Sequence, residues 1–115
     1  MSSKEIERRQ RLMPNGVPKH IRCYDNGGLE QENGSRDRYT VIFSHADRFG
    51  FKGRTPYLCM DESPYSPGGF GMHEESKGAI DHPSSGHLGR RIQFSDLPHE
   101  CQRVVLADYQ AYWRL

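Results

Sequence analysis

The chain has 115 residues and a formal net charge of +1, with 16 Lys and Arg set against 15 Asp and Glu. That balance excludes a dominant electrostatic hold on nucleic acid, and it equally excludes an acidic surface that mimics DNA. No apolar run reaches ten residues, so neither a membrane span nor a signal peptide is expected, and the location read from the sequence is the cytoplasm.

The length admits one domain with a small core, because Leu, Ile, Val and Phe together are 21 of the 115 residues. Six Tyr, five Phe and one Trp supply large buried areas from few positions, so the composition reads as a compact, polar, loop-rich domain. A core of this size is marginally stable, and a homodimer would reinforce it. Cys23, Cys59 and Cys101 are odd in number and far apart, which reads as reduced thiols; no spacing among them and the six His matches a zinc motif, and no metal or cofactor is expected.

Residues 1–16 read as a charged helix or arm, with Lys4, Arg8, Arg9 and Arg11 interleaved with Glu5 and Glu7, and residues 17–115 as a single domain. A first strand is expected over 19–25, closed by the turn chemistry of Asn26-Gly27-Gly28. A polar extension over 29–36 follows. The strongest strand signal lies over 37–44, where Tyr39, Val41 and Phe43 share one face and Arg38, Thr40 and Ile42 the other. A third strand over 55–60 pairs with it in a meander.

Residues 63–73, Ser-Pro-Tyr-Ser-Pro-Gly-Gly-Phe-Gly-Met-His, form a Pro/Gly-dense loop of defined shape ending on His73. No Gly-Lys-Ser/Thr follows its glycines, so it is no phosphate loop of the Walker type, and Gly69-Phe70-Gly71 is too short for a dinucleotide fingerprint. Two readings stand: its N–H groups cradle an anion, or its glycines only turn the chain. A short last strand over 87–94 precedes a helix capped by Ser95 or Asp96, with Pro98 in its first turn. That helix runs to about residue 113 and presents Leu97, Cys101, Val104, Val105, Tyr109 and Tyr112 on one face. Asp108 falls in the same face and needs either an arginine partner or a path to water.

The predicted fold is therefore α+β: a small antiparallel sheet of three to four strands, a C-terminal helix packed on one face, and long ordered loops. Antiparallel pairing of the first two strands would gather Asp25, Asn26, Asp37, Arg38 and Tyr39 at one end. There they either recognise a ligand or form an ordinary cross-strand ion pair. Adding Gly69, Gly71 and His73 from the loop and Arg91 from the last strand gives a composite anion site, in which Arg38 and Arg91 neutralise charge and His73 and Tyr39 orient the ligand. A protein partner anchored by Tyr57, Tyr65, Phe70 and Trp113 is the alternative, and a hydrolase using His73 with Asp25 or Asp37 is a third reading.

The ordered set Tyr24-Asp25-Asn26-Gly27-Gly28, Asp37-Arg38-Tyr39-Thr40-Val41, the Gly-Phe-Gly-x-His segment, Leu88-Gly89-Arg90-Arg91-Ile92 and Phe94-Ser95-Asp96-Leu97-Pro98 resembles a family of short uncharacterised proteins of bacteriophages and prophages. The resemblance covers about residues 17–110. It departs from the family pattern in the polar insertion over 29–36 and in Ser66, where a histidine is common. It implies a phage accessory protein that sequesters a small anionic ligand such as a nucleotide, or that inhibits a host enzyme.

Overall fold

The computed structural model describes Pro18 and residues 20–31, 34–44, 54–76 and 88–113. The expected N-terminal helix lies outside the described residues, as do residues 45–53 and 77–87 and the side chains of Tyr112 and Trp113. Five strands, β1 (Ile21–Asp25), β2 (Tyr39–Phe43), β3 (Arg54–Met60), β4 (Phe70–Ser76) and β5 (Arg90–Ile92), form one antiparallel sheet in the order β4-β3-β2-β1-β5. A single described α-helix, α1 (His99–Trp113), packs on it. The α+β class and the C-terminal helix are as the sequence predicts; the sheet has one strand more.

The extra strand is β4, and it corrects the reading of residues 63–73 as one continuous loop. Only the first part is a loop; Phe70 onwards pairs with β3, Met72 opposite Leu58 and His73 opposite Tyr57. As the sheet edge, β4 packs only Met72 against the core, which is why it carries little of the apolar character that marks the fully buried β2.

Register explains the core. Ile21 and Cys23 of β1, Tyr39, Val41 and Phe43 of β2, and Leu58 and Met60 of β3 lie on one face, with Cys23 opposite Val41 and Val41 opposite Leu58. Leu97 and, on α1, Cys101, Val104, Val105 and Tyr109 close over that face at helical spacing, and the rings of Tyr109 and Phe43 lie 6.3 Å apart. Entry to the helix differs from expectation. Phe94–Asp96 form a 3-10 turn locked by a capping box between Gln93 and Asp96, and α1 begins after Pro98, whose carbonyl accepts the Gln102 N–H at 2.9 Å. Asp108 is half-buried and, among the described residues, has no hydrogen-bond or ion-pair partner; burial pushes its carboxyl above the usual range. No described helix is long and apolar enough to cross a membrane.

Candidate functional site

Antiparallel pairing of β1 with β2 does bring Asp25, Asn26, Arg38 and Tyr39 to one end of the sheet. Each is already committed to the fold there. The Asp25 carboxylate, 6% exposed, takes a fork from Arg38, Nε to Oδ1 at 2.8 Å and Nη2 to Oδ2 at 3.2 Å, and Oδ1 also accepts the Gly27 N–H at 2.8 Å. Arg38 Nη1 donates to Glu62 Oε1, so two carboxylates flank one guanidinium. The hydrogen bond from Arg38 holds Asp25 below the usual carboxylate range, and the same contact, with Glu62, raises Arg38 further.

Asn26 is used at both ends of its amide. Oδ1 accepts the Gly28 N–H at 2.8 Å, while Nδ2 donates to Ser35 Oγ at 3.1 Å and Asp37 O at 2.9 Å, which ties the loop before β2 to the end of β1. Tyr39 is a core side chain, with the Arg38 guanidinium 5.3 Å from its ring centroid. A cavity of about 390 Å³ opens beside this cluster, lined by Arg36 and Arg38 but also by Glu30, Asp61 and Glu62. Three carboxylates against two guanidinium groups give a net negative wall, the wrong sign for an anion.

The Pro/Gly loop turns the chain with its own hydrogen bonds. Ser66 N–H donates to Ser63 O at 3.0 Å, Gly69 N–H to Ser66 O at 2.8 Å, and Asp61 N–H to Gly69 O at 2.8 Å, closing the hairpin into β4. Asp61 Oδ1 accepts the Ser63 N–H at 2.7 Å, and Oδ2 faces Arg36 Nε at 3.3 Å. A Cβ at Gly69 would lie 2.6 Å from the carbonyl oxygens of Ser63 and Pro64, so glycine is required for close backbone approach within the turn. Gly71 and His73 lie on β4, where the exposed His73 ring stacks on Tyr57 at 5.4 Å.

The eight residues expected to form one site therefore divide into three groups. Asp25, Asn26, Arg38 and Tyr39 cluster at the strand ends, Gly69 lies in the closing turn with Gly71 and His73 on β4 after it, and Arg91 stands on β5 at the opposite edge of the sheet. Four strand spacings of roughly 4.8 Å put β4 and β5 about 19 Å apart, and three put the His73 strand about 14 Å from the Asp25 strand. His73 and Asp25 are thus no acid–base pair.

Comparison with protein-family models, with curated proteins and with solved structures finds no match to this chain. The chemistry has to be read from its own surfaces.

A second cavity, about 640 Å³, lies where β5 meets β1. Ile21, Cys23, Ile92 and Phe94 form its apolar wall; Arg90 and Arg91 stand on it, with His20, Gln93 and Asp96. Arg91 is exposed and, among the described residues, its guanidinium makes no hydrogen bond or ion pair; Arg90 reaches Asp25 Oδ2 only at 3.7 Å. Gly89 makes the junction possible. Its φ is +82°, and a Cβ there would fall 2.1 Å from the Asp25 carbonyl oxygen, so β5 can lie against the end of β1 only with glycine before it. Burial pushes the Cys23 thiol up to about 12, so this sulfur in the cavity wall stays protonated at neutral pH. Of the eight expected site residues, Arg91 alone lines this cavity. Ile21, Cys23 and Ile92 read as ordinary strand residues in the sequence, and only the Arg90-Arg91 doublet beside them signals a site.

Proposed function

We propose that this protein is a non-enzymatic module that binds a small anionic ligand in the cavity between β1 and β5, with Arg91 as its principal cation. The observation that carries the reading is the contrast between the two arginines. Arg38 is matched by Asp25 and Glu62, whereas Arg91 has no partner among the described residues and borders a cavity within the size range of small-molecule sites. The protonated Cys23 thiol is a poor nucleophile, which favours binding over covalent chemistry. The reading agrees with the sequestering role that the phage-protein resemblance implies.

A thermal-shift screen with anionic metabolites tests it. Ligand at 100 times its Kd should stabilise the native state by about 2.7 kcal/mol. Arg91→Ala should abolish that stabilisation, and a screen without any hit at millimolar concentration would reject the proposal. A second reading, a protein-binding inhibitor, is favoured by the exposure of Tyr65 (60%) and Phe70 (47%) beside the β3–β4 turn. Loss of a captured host partner on replacing both by Ser, with ligand binding intact, would establish it as a separate activity.

A further inference from the structure

Resting on the assignment of the β1–β5 cavity as the binding site, we infer that its ligand is an amphiphilic monoanion, a single carboxylate head on an apolar body, and not a nucleotide. The walls decide between the two classes. Recognition of a base needs free donors and acceptors along its polar edge, because a buried polar edge without partners loses its hydrogen bonds to water and gains none in return. The polar side chains best placed to read one, Gln93 and Asp96, are turned onto each other's backbone. Gln93 N–H donates to Asp96 Oδ2 at 3.0 Å, Asp96 N–H donates to Gln93 O at 3.0 Å, and the Gln93 side chain completes the capping box.

Beside His20, what this leaves for the body of a ligand is Ile21, Cys23, Ile92 and the Phe94 ring, a surface that rewards hydrocarbon. The charge count points the same way. Arg90 and Arg91 against Asp96 leave a net single positive charge on the wall, with Arg90 also drawn toward Asp25, which suits one negative head better than a polyphosphate. The guanidinium of Arg91 presents the planar fork that a carboxylate accepts in bidentate fashion.

Methyl-resolved NMR of the full chain, titrated separately with sodium octanoate, ADP and inorganic phosphate, tests the inference. Octanoate is expected to move the methyl signals of Ile21 and Ile92 saturably. Arg91→Ala should weaken its binding tenfold or more while Arg91→Lys retains most of it, and ADP and phosphate should bind at least tenfold more weakly. Tighter binding of ADP or phosphate, abolished by Arg91→Ala, would overturn the monoanion assignment and leave the binding module standing. Octanoate binding of unchanged strength in Arg91→Ala would overturn it as well, because the hydrocarbon would then be partitioning without recognition of the head. If none of the three probes moves either isoleucine, both the ligand class and the site fall.

Discussion

Two arginine-bearing regions sit on opposite sides of β1, and they differ in everything except the residue type. Around Arg38 the charge is matched: two carboxylates flank the guanidinium, and Asn26 bonds through both ends of its amide. Around Arg91 the cation has no partner among the described residues, and the neighbouring wall mixes the apolar Ile21, Cys23, Ile92 and Phe94 with His20, Gln93 and Asp96. Charge in a sequence thus does not measure charge available to a ligand. A guanidinium beside a buried carboxylate holds the fold together, whereas one at the rim of a cavity with no carboxylate paired to it keeps its donors exposed.

The comparison is broken most directly at Arg38. Arg38→Ala leaves the Asp25 carboxylate buried without its fork, and the expected loss is about 3–5 kcal/mol in urea denaturation, with ligand affinity unchanged in whatever fraction stays folded. Loss of less than about 1 kcal/mol would mean that the cluster is ornamental.

Acid provides the next test. The folded-state value of Asp25 lies below its unfolded one, so its contribution is fully present above the unfolded carboxylate value of about 3.9 and disappears as the pH falls through the folded value. Melting temperature followed from pH 6 downward should therefore drop steeply in the wild type and less in Asp25→Asn.

Asp108 behaves in the opposite sense. Its folded-state value is raised by burial, so the charged form disfavours the fold above that value and the penalty vanishes below the unfolded one. Asp108→Asn should stabilise the protein by about 0.5–2 kcal/mol at pH 7 and leave it unchanged in acid. The smallest expected effect on stability is that of Arg91→Ala, within about 0.5 kcal/mol of wild type, although the same variant should lose the ligand. A large destabilisation there would assign Arg91 to the fold and erase the contrast with Arg38.

Much of the architecture was legible because periodicity reports burial. β2 is buried on both faces and announces itself by its run of aromatic and β-branched residues, while Cys101, Val104, Val105 and Tyr109 show the spacing of a helix facing the sheet. β4 was hidden because an edge strand can satisfy its backbone against one neighbour with almost no apolar side chains, and because the Pro64, Pro67, Gly68 and Gly69 of the turn that delivers it run straight into it. The composite site was misread for a different reason. Glu62, which neutralises Arg38, lies 24 residues farther along in a loop, and nothing local to either residue announces the pairing. The wall around Arg91 was equally unreadable, since Ile21 and Ile92 meet only through the β1–β5 ladder.

That ladder also sets when the cavity comes into being. The β1–β2, β2–β3 and β3–β4 pairings join strands that follow one another along the chain, whereas β5 must return past the whole meander to reach β1, pairing Cys23 with Ile92. Contacts of such long sequence separation bear the largest loop-closure entropy and form late. With only three residues, β5 is also the shortest strand to hold once formed. The Arg38 cluster can assemble on a nascent meander, while the Arg91 cavity exists only after the last strand has docked. Because β5 supplies Arg90, Arg91 and Ile92 to the cavity lining, its docking on β1 is the step that completes the cavity.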